Sequence, residues 1–167
     1  MYYISLPSNQ LRYTIMILHD AKYLAIQLMA VHDLFDTGWS FEFDGAKRRL
    51  GCCNFTHKRI SLSKHVVLLN DENIIRNTIL HEIAHALVGR NHGHDSIWRQ
   101  KALEIGCDGN RLCGNSVRVE GKYKAECGSC GRIIFTHRIK KKSASCGICS
   151  GGTYNATYKL DFKLNTI

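Results

Sequence analysis

The run His81-Glu82-Ile83-Ala84-His85 sets two imidazoles four residues apart with a carboxylate beside the first. On a helix advancing roughly 100° per residue, such histidines lie about 40° apart and one turn from each other, so their ring nitrogens can converge on one ion. The chemistry this predicts is zinc-centred hydrolysis. The imidazoles hold the metal, zinc acidifies a water toward a pKa of about 7, and Glu82 acts as general base, passing the proton to a leaving amine. A catalytic zinc wants a third protein donor. His92 and His94, on the return after Gly89, qualify by spacing, and so does Glu104, 19 residues beyond His85.

Cys127, Cys130, Cys146 and Cys149 form two CxxC pairs with fifteen residues between them, a spacing characteristic of zinc sites. Four thiolates saturate a tetrahedral zinc and leave no position for water, so this second site is expected to be structural. Gly128 and Gly147 follow the first cysteine of each pair and are expected to ease the turns there. No basic segment with a small-residue cleavage site precedes the first apolar stretch, which predicts no export signal and a cytoplasmic protein. In a reducing compartment paired CxxC motifs bind metal rather than forming disulfides. Cys52, Cys53, Cys107 and Cys113 lack ligand spacing and are read as free thiols.

The elements that must position these groups are legible in outline. Ile17, Leu24, Leu28 and Val31 recur near helical spacing, predicting a helix over residues 13–35 that Gly38 helps to stop. Residues 39–43 alternate as a strand, Asp44-Gly45 signals a tight turn, and strands over 50–53 and 59–62 would complete an antiparallel meander. Asn70 or Asp71 can cap a helix from 72 to about 89 that carries the histidines. Ile75, Ile79, Ile83 and Ala86 then fall on its opposite, apolar side. A short helix follows over 96–105. Past Arg111 glycines, lysines and short β-rich runs take over, placing a boundary near residues 117–121. Residues 133–138 and 154–162 read as strands of a ribbon built around the cysteines.

With 44% hydrophobic and 22% charged residues the composition is that of a globular protein rather than a disordered one. The apolar stretch over 13–31 is interrupted by His19, Asp20, Lys22 and Gln27, which excludes a membrane span. The net charge of +9 favours polyanionic partners. Much of it sits in Lys122, Lys124, Arg132, Arg138, Lys140, Lys141 and Lys142, opposed in that stretch by Glu126 alone and interleaved with Tyr123 and Phe135. Basic residues with aromatic platforms are what a DNA-contacting surface shows.

The stretches TILHEIAHALVG and GHDSIW, preceded by ISLSKHVVLLNDENIIRNT, resemble the SprT-like metalloprotease family, relatives of the Spartan DNA-dependent proteases. The resemblance covers residues 39–149 and is most specific over 60–98. The third ligand in that family is a histidine four residues before an aromatic, in a pattern like HGxxW. Matched here, it is His94 ahead of Trp98, so His81, His85 and His94 look like the metal ligands and Glu82 the base. Asp95 stands where glycine is usual, whereas a glycine follows His92, so His92 stays open as the ligand; otherwise Asp95 would orient a ligating imidazole.

The resemblance implies an α+β, zincin-like metalloprotease domain over 1–118 and a four-cysteine zinc ribbon over 119–167, with two zinc ions per chain. The implied activity is hydrolysis of DNA-bound or DNA-crosslinked proteins, with single-stranded or junction-containing DNA recruiting or activating the enzyme. It also suggests that the strand over 59–62, or its neighbour, receives substrate as an added strand. The alternative is a DNA-binding or transcription-associated ribbon protein whose zincin domain is not proteolytic.

Overall fold

The computed structural model describes residues 16–111, 117, 119–139 and 142–166. Cys113, Lys140, Lys141 and the first three residues of the expected helix over 13–35 lie outside them. The chain divides into two compact units, Met1–Val119 and Glu120–Ile167. The architecture is α+β. Among the described residues no helix is long and apolar enough to cross a membrane.

The first unit holds α1 (Leu18–Val31), β1 (Ser40–Asp44), β2 (Gly51–Asn54), β3 (Arg59–Ser63), α2 (Lys64–Val67), α3 (Glu72–Val88) and α4 (Ser96–Glu104). Helix α1 ends four residues before the expected stop. Asp33 takes a left-handed φ of 53°, and the Leu34 and Asp33 amides bond back to the Met29 and Ala30 carbonyls, both at 3.1 Å. This is a Schellman closure in which aspartate takes the place usually held by glycine. Ala21 and Ala25, both fully buried, form much of the inner face of α1. They join Met29, Ile60 and Leu62 in one core with Ile75, Ile79 and Ile83 of α3.

The sheet is not the expected meander. Its order is β1-β3-β2, with β1 parallel and β2 antiparallel to β3. Asp44 does not open a hairpin. Its carboxylate accepts from the Ala46 amide, the Ser61 hydroxyl and Arg49, and Ser63 donates its hydroxyl to the Ala46 carbonyl. The 45–50 loop is thereby tied to β3, and β2 forms on the far side of it. The strand with the fully buried Ile60 and Leu62 takes the centre, where both faces and both edges are covered.

Helix α2 was not anticipated; Ser63 caps it by accepting from the Val66 amide. Asp71 caps α3 and Asp95 caps α4, each side chain accepting an amide three residues on.

The second unit is an antiparallel sheet in the order β5-β4-β6, from β4 (Tyr123–Glu126), β5 (Ile133–Thr136) and β6 (Lys163–Leu164). The strand expected over 154–162 is absent. Asn155 accepts from the Thr157 amide and starts a 3-10 turn over Ala156–Tyr158, after which Lys159 makes one isolated bridge to Ser145. Pairing resumes only at Lys163.

Candidate metal centres

Helix α3 turns His81 and His85 to one side while Ile75, Ile79 and Ile83 are fully buried on the other. Gly89, at φ 88°, ends the helix, and the chain returns so that His94 meets both. The three Nε2 atoms lie 3.3 Å (His81–His85), 3.2 Å (His85–His94) and 3.0 Å (His81–His94) apart. A tetrahedral zinc with Zn–N near 2.0–2.1 Å would hold its nitrogens about 3.3–3.4 Å apart, so the triangle fits with small adjustment.

Hydrogen bonding alone cannot account for the triangle. An imidazole nitrogen is either protonated and a donor, or bare and an acceptor. Three mutually adjacent nitrogens therefore include at least one like pair, which repels. The His81 and His85 rings also donate to the backbone carbonyls of Asn110 and His92, respectively. A proton used there is not shared between the rings, and backbone carbonyls orient the ligands of a metal site in this way.

Trp98, 1% exposed, closes one side. Its ring centroid is 4.7, 5.2 and 4.6 Å from those of His81, His85 and His94. His94 is exposed, so the triangle opens to solvent on its own side.

The rival third donors are elsewhere. His92 Nδ1 is 2.9 Å from the Asp95 carboxylate, and Glu104 pairs with Lys101 at 2.7 Å on an exposed face. Asp95 therefore holds His92, not a triangle histidine. It steadies the turn whose His92 carbonyl orients His85, while its other oxygen caps α4.

Burial, followed by the neighbouring imidazoles, depresses the pKa of His81 and His85 to about 4. Burial pushes Glu82 up to about 7, opposed by Arg49 and by the Cys53 amide, which donates to its carboxylate. These shifts have opposite stability signs in zinc-stripped protein. The imidazoles contribute stability that is present above 6.5 and lost as pH falls toward 4. Glu82 contributes stability that is present below 4.5 and lost as pH rises toward 7. Two groups outweigh one, so thermal stability in chelator should rise with pH between 4.5 and 6.5. Removing both imidazoles in His81→Ala/His85→Ala should cut that slope sharply in the same melts, because only His94, also lowered by burial, is then left to oppose Glu82.

Strand β2 lies beside Glu82. The Leu50 carbonyl accepts from the Ser63 amide at 2.7 Å. Antiparallel alternation with the register Gly51↔Leu62 and Cys53↔Ile60 then turns the Gly51 and Cys53 backbones to the outer edge, which pairs with no other strand among the described residues. Strand β3, expected from the resemblance as one possible substrate strand, is enclosed on both sides and cannot take another. Its neighbour β2 can.

Burial raises the Cys53 thiol to about 12 and also raises Cys52. Both stay protonated and unreactive. Cys107 is buried in the core.

The sequence model of the SprT-like family matches residues 24–120, more than half of the chain. The chain belongs to the SprT-like family. Among solved structures, the metallopeptidase zymogen of Methanocaldococcus jannaschii jannalysin aligns with 21% identity and a TM-score of 0.45, covering 53% of this chain and 84% of that one. No curated protein matches this chain.

This SprT-like chain carries its second centre in the unit beyond Val119. The Sγ atoms of Cys127 and Cys149, and of Cys130 and Cys146, are 3.8 Å apart, and all four lie within 4.8 Å of one another. Zn–S bonds near 2.3 Å in a tetrahedron would separate sulfurs by about 3.8 Å.

Each knuckle closes with a bond between residues four apart, Gly131 to Cys127 and Ser150 to Cys146, both 2.9 Å. The left-handed glycines are Gly131, Gly151 and Gly152. Gly128 and Gly147, expected to supply that freedom, do not use it. Amides of Cys130 and Ser129 face Cys127 and lower its pKa, and those of Cys149 and Ile148 bring Cys146 to about 6. The Cys130 sulfur beside Cys149 helps push that thiol up to about 12. Two thiolate-favouring sulfurs crowding two others is an arrangement that a cation relieves.

Lys122, Lys124, Arg132, Arg138 and Lys142 are exposed. Lys163 was missed in the sequence, because only strand register shows that Lys124 lies between it and Phe135 across the ribbon sheet.

Proposed function

We propose that this SprT-like protein is a zinc-dependent endopeptidase of the HExxH type acting on proteins bound or crosslinked to DNA, with DNA as the recruiting partner and two zinc ions per chain. The observation that carries the hydrolytic part is the Nε2 triangle of His81, His85 and His94, with a buried carboxylate one residue from its first member.

The three histidines would hold the catalytic ion, which when bound supplies a Lewis acid that polarises the scissile carbonyl and acidifies water. Glu82 takes the proton of the attacking water and delivers it to the leaving amine. A base with its pKa near the working pH is both ionised and strongly proton-accepting, and burial moves Glu82 toward that value. Among the described residues the outer edge of β2 is unpaired, and it offers the backbone groups of Gly51 and the Cys53 carbonyl to an extended peptide, the Cys53 amide being held by Glu82. Recognition through backbone rather than side chains supports broad sequence tolerance.

Support for DNA comes from the ribbon. Its five exposed cations named above make no ion pair among the described residues, and Lys124, Phe135 and Lys163 form a row that can meet phosphates and stack a base.

The test is cleavage of a protein crosslinked to a single-stranded oligonucleotide, compared with the same protein free. Faster cleavage of the crosslinked form is expected. Affinity for the oligonucleotide should fall linearly in log–log with salt, and the slope should shrink by about 0.7 for each phosphate left unneutralised in Lys124→Ala/Lys163→Ala. Equal cleavage of the two forms would remove DNA from the proposal and leave the peptidase.

A further inference from the structure

The glycine at position 51 has no left-handed φ to accommodate, and a half-buried strand is a poor place for the residue with the greatest backbone freedom. Its neighbours supply the reason. A Cβ at this position would lie 2.8 Å from Glu82 Oε1, 2.9 Å from Glu82 Cγ and 2.9 Å from Thr78 Cγ2. Real Cβ atoms do not approach so closely. Glu82 therefore reaches from α3 across bare strand backbone, and two residues along the same strand the Cys53 amide meets its carboxylate.

The other described glycines of this unit differ. A Cβ at Gly45, Gly89, Gly93 or Gly106 would meet nothing within 4 Å. At Gly38 and Gly109 a left-handed φ already favours glycine.

We infer that Gly51 is a positioning residue for the general base: the missing side chain on β2 is the seat on which the Glu82 carboxylate rests beside the His81–His85–His94 triangle. This rests on the endopeptidase reading above and adds to it a source for the base's position. The same four-residue strand would then set both the base and, through its open edge, the register of the substrate. The two would move together if β2 moved.

The seat is sensitive but not fragile. Two of the three atoms a methyl would strike belong to the flexible Glu82 side chain, so Gly51→Ala should fold and displace the carboxylate by about the ångström that costs a catalytic group up to roughly 100-fold in rate. The third atom is the Thr78 methyl. Thr78→Ser removes it and keeps the hydroxyl that bonds the Ile74 carbonyl.

The experiment compares zinc-loaded wild type, Gly51→Ala and Gly51→Ala/Thr78→Ser for kcat, KM, zinc content and the ¹³C signal of the Glu82 carboxyl. Expected are a 10- to 100-fold loss of kcat in Gly51→Ala, KM and zinc content near wild type, a moved carboxyl signal, and partial recovery of both kcat and signal in the double variant. Wild-type kcat with an unmoved signal would overturn the inference. So would a loss that tracks zinc content, or one that Thr78→Ser leaves untouched. Absence of peptide hydrolysis in zinc-loaded wild type would instead sink the endopeptidase reading, and the carboxyl signal alone would then decide whether Gly51 seats Glu82.

Discussion

Glu82→Gln is expected to lower kcat by about 10³-fold, within the range general acid–base groups supply, while zinc content and fold stay as in wild type. The amide is nearly isosteric with the carboxylate, so it should still fit over Gly51, where a Cβ would approach within 2.8 Å. What it loses is the capacity to accept a proton from water. Zinc should remain because Glu82 is not one of the three residues whose Nε2 atoms converge.

The pH profile carries a second signature. Burial, opposed by Arg49 and the Cys53 amide, brings the carboxyl to about 7, and a divalent cation nearby favours its charged form. The acid limb of kcat/KM should therefore fall at or below pH 7. Measurement requires zinc by atomic absorption, melting temperature and steady-state rates on one preparation. Wild-type activity in Glu82→Gln would remove Glu82 from the chemistry. Loss of activity together with zinc would make it a structural residue.

The helices that carry the histidines were legible because their signals are local. Asp71 and Asp95 sit immediately before the elements they cap, and Ile75, Ile79 and Ile83 mark the buried face of α3 within two turns of the histidines opposite. Ligand spacing in the cysteine knuckles is local in the same sense.

What escaped depends on pairings between distant residues. The parallel β1–β3 pairing follows from Asp44 meeting Ser61 and from Ser63 reaching Ala46, both 17 residues apart. A strand-turn-strand pattern carries no trace of such ties. The early end of α1 turned on Asp33 accepting a backbone conformation usually left to glycine. The separation of His92 from His94 as candidate donors came from the turn after Gly89, which commits His92 to Asp95. Gly51 is the clearest case: its reason is a side chain 31 positions later, and a glycine in a strand announces no partner.

Cys127→Ser is the change expected to cost most in folding. Among the described residues the hydrophobic core of the ribbon unit is Ala125, Cys127, Cys146 and Leu160, with Ile134, Cys149, Tyr158 and Phe162 partly covered around them. So small a core does not offset the entropy of ordering the chain. Zinc in comparable small sites contributes an apparent ~10–16 kcal/mol near neutral pH, more than such a core can replace. Serine keeps the size of cysteine but offers a neutral hydroxyl where two amides favour an anionic sulfur. Zinc content should fall from two ions to one, the ribbon resonances should collapse to unfolded positions, and oligonucleotide affinity should fall with them. The His81–His85–His94 centre should keep its ion and cleave uncrosslinked protein at the wild-type rate, because its ligands all lie in the other unit. His81→Ala should give the mirror result, one ion retained at the cysteines and hydrolysis lost. A ribbon that stays folded in Cys127→Ser with no zinc bound to it would mean the four sulfurs are gathered by packing alone, against their mutual repulsion.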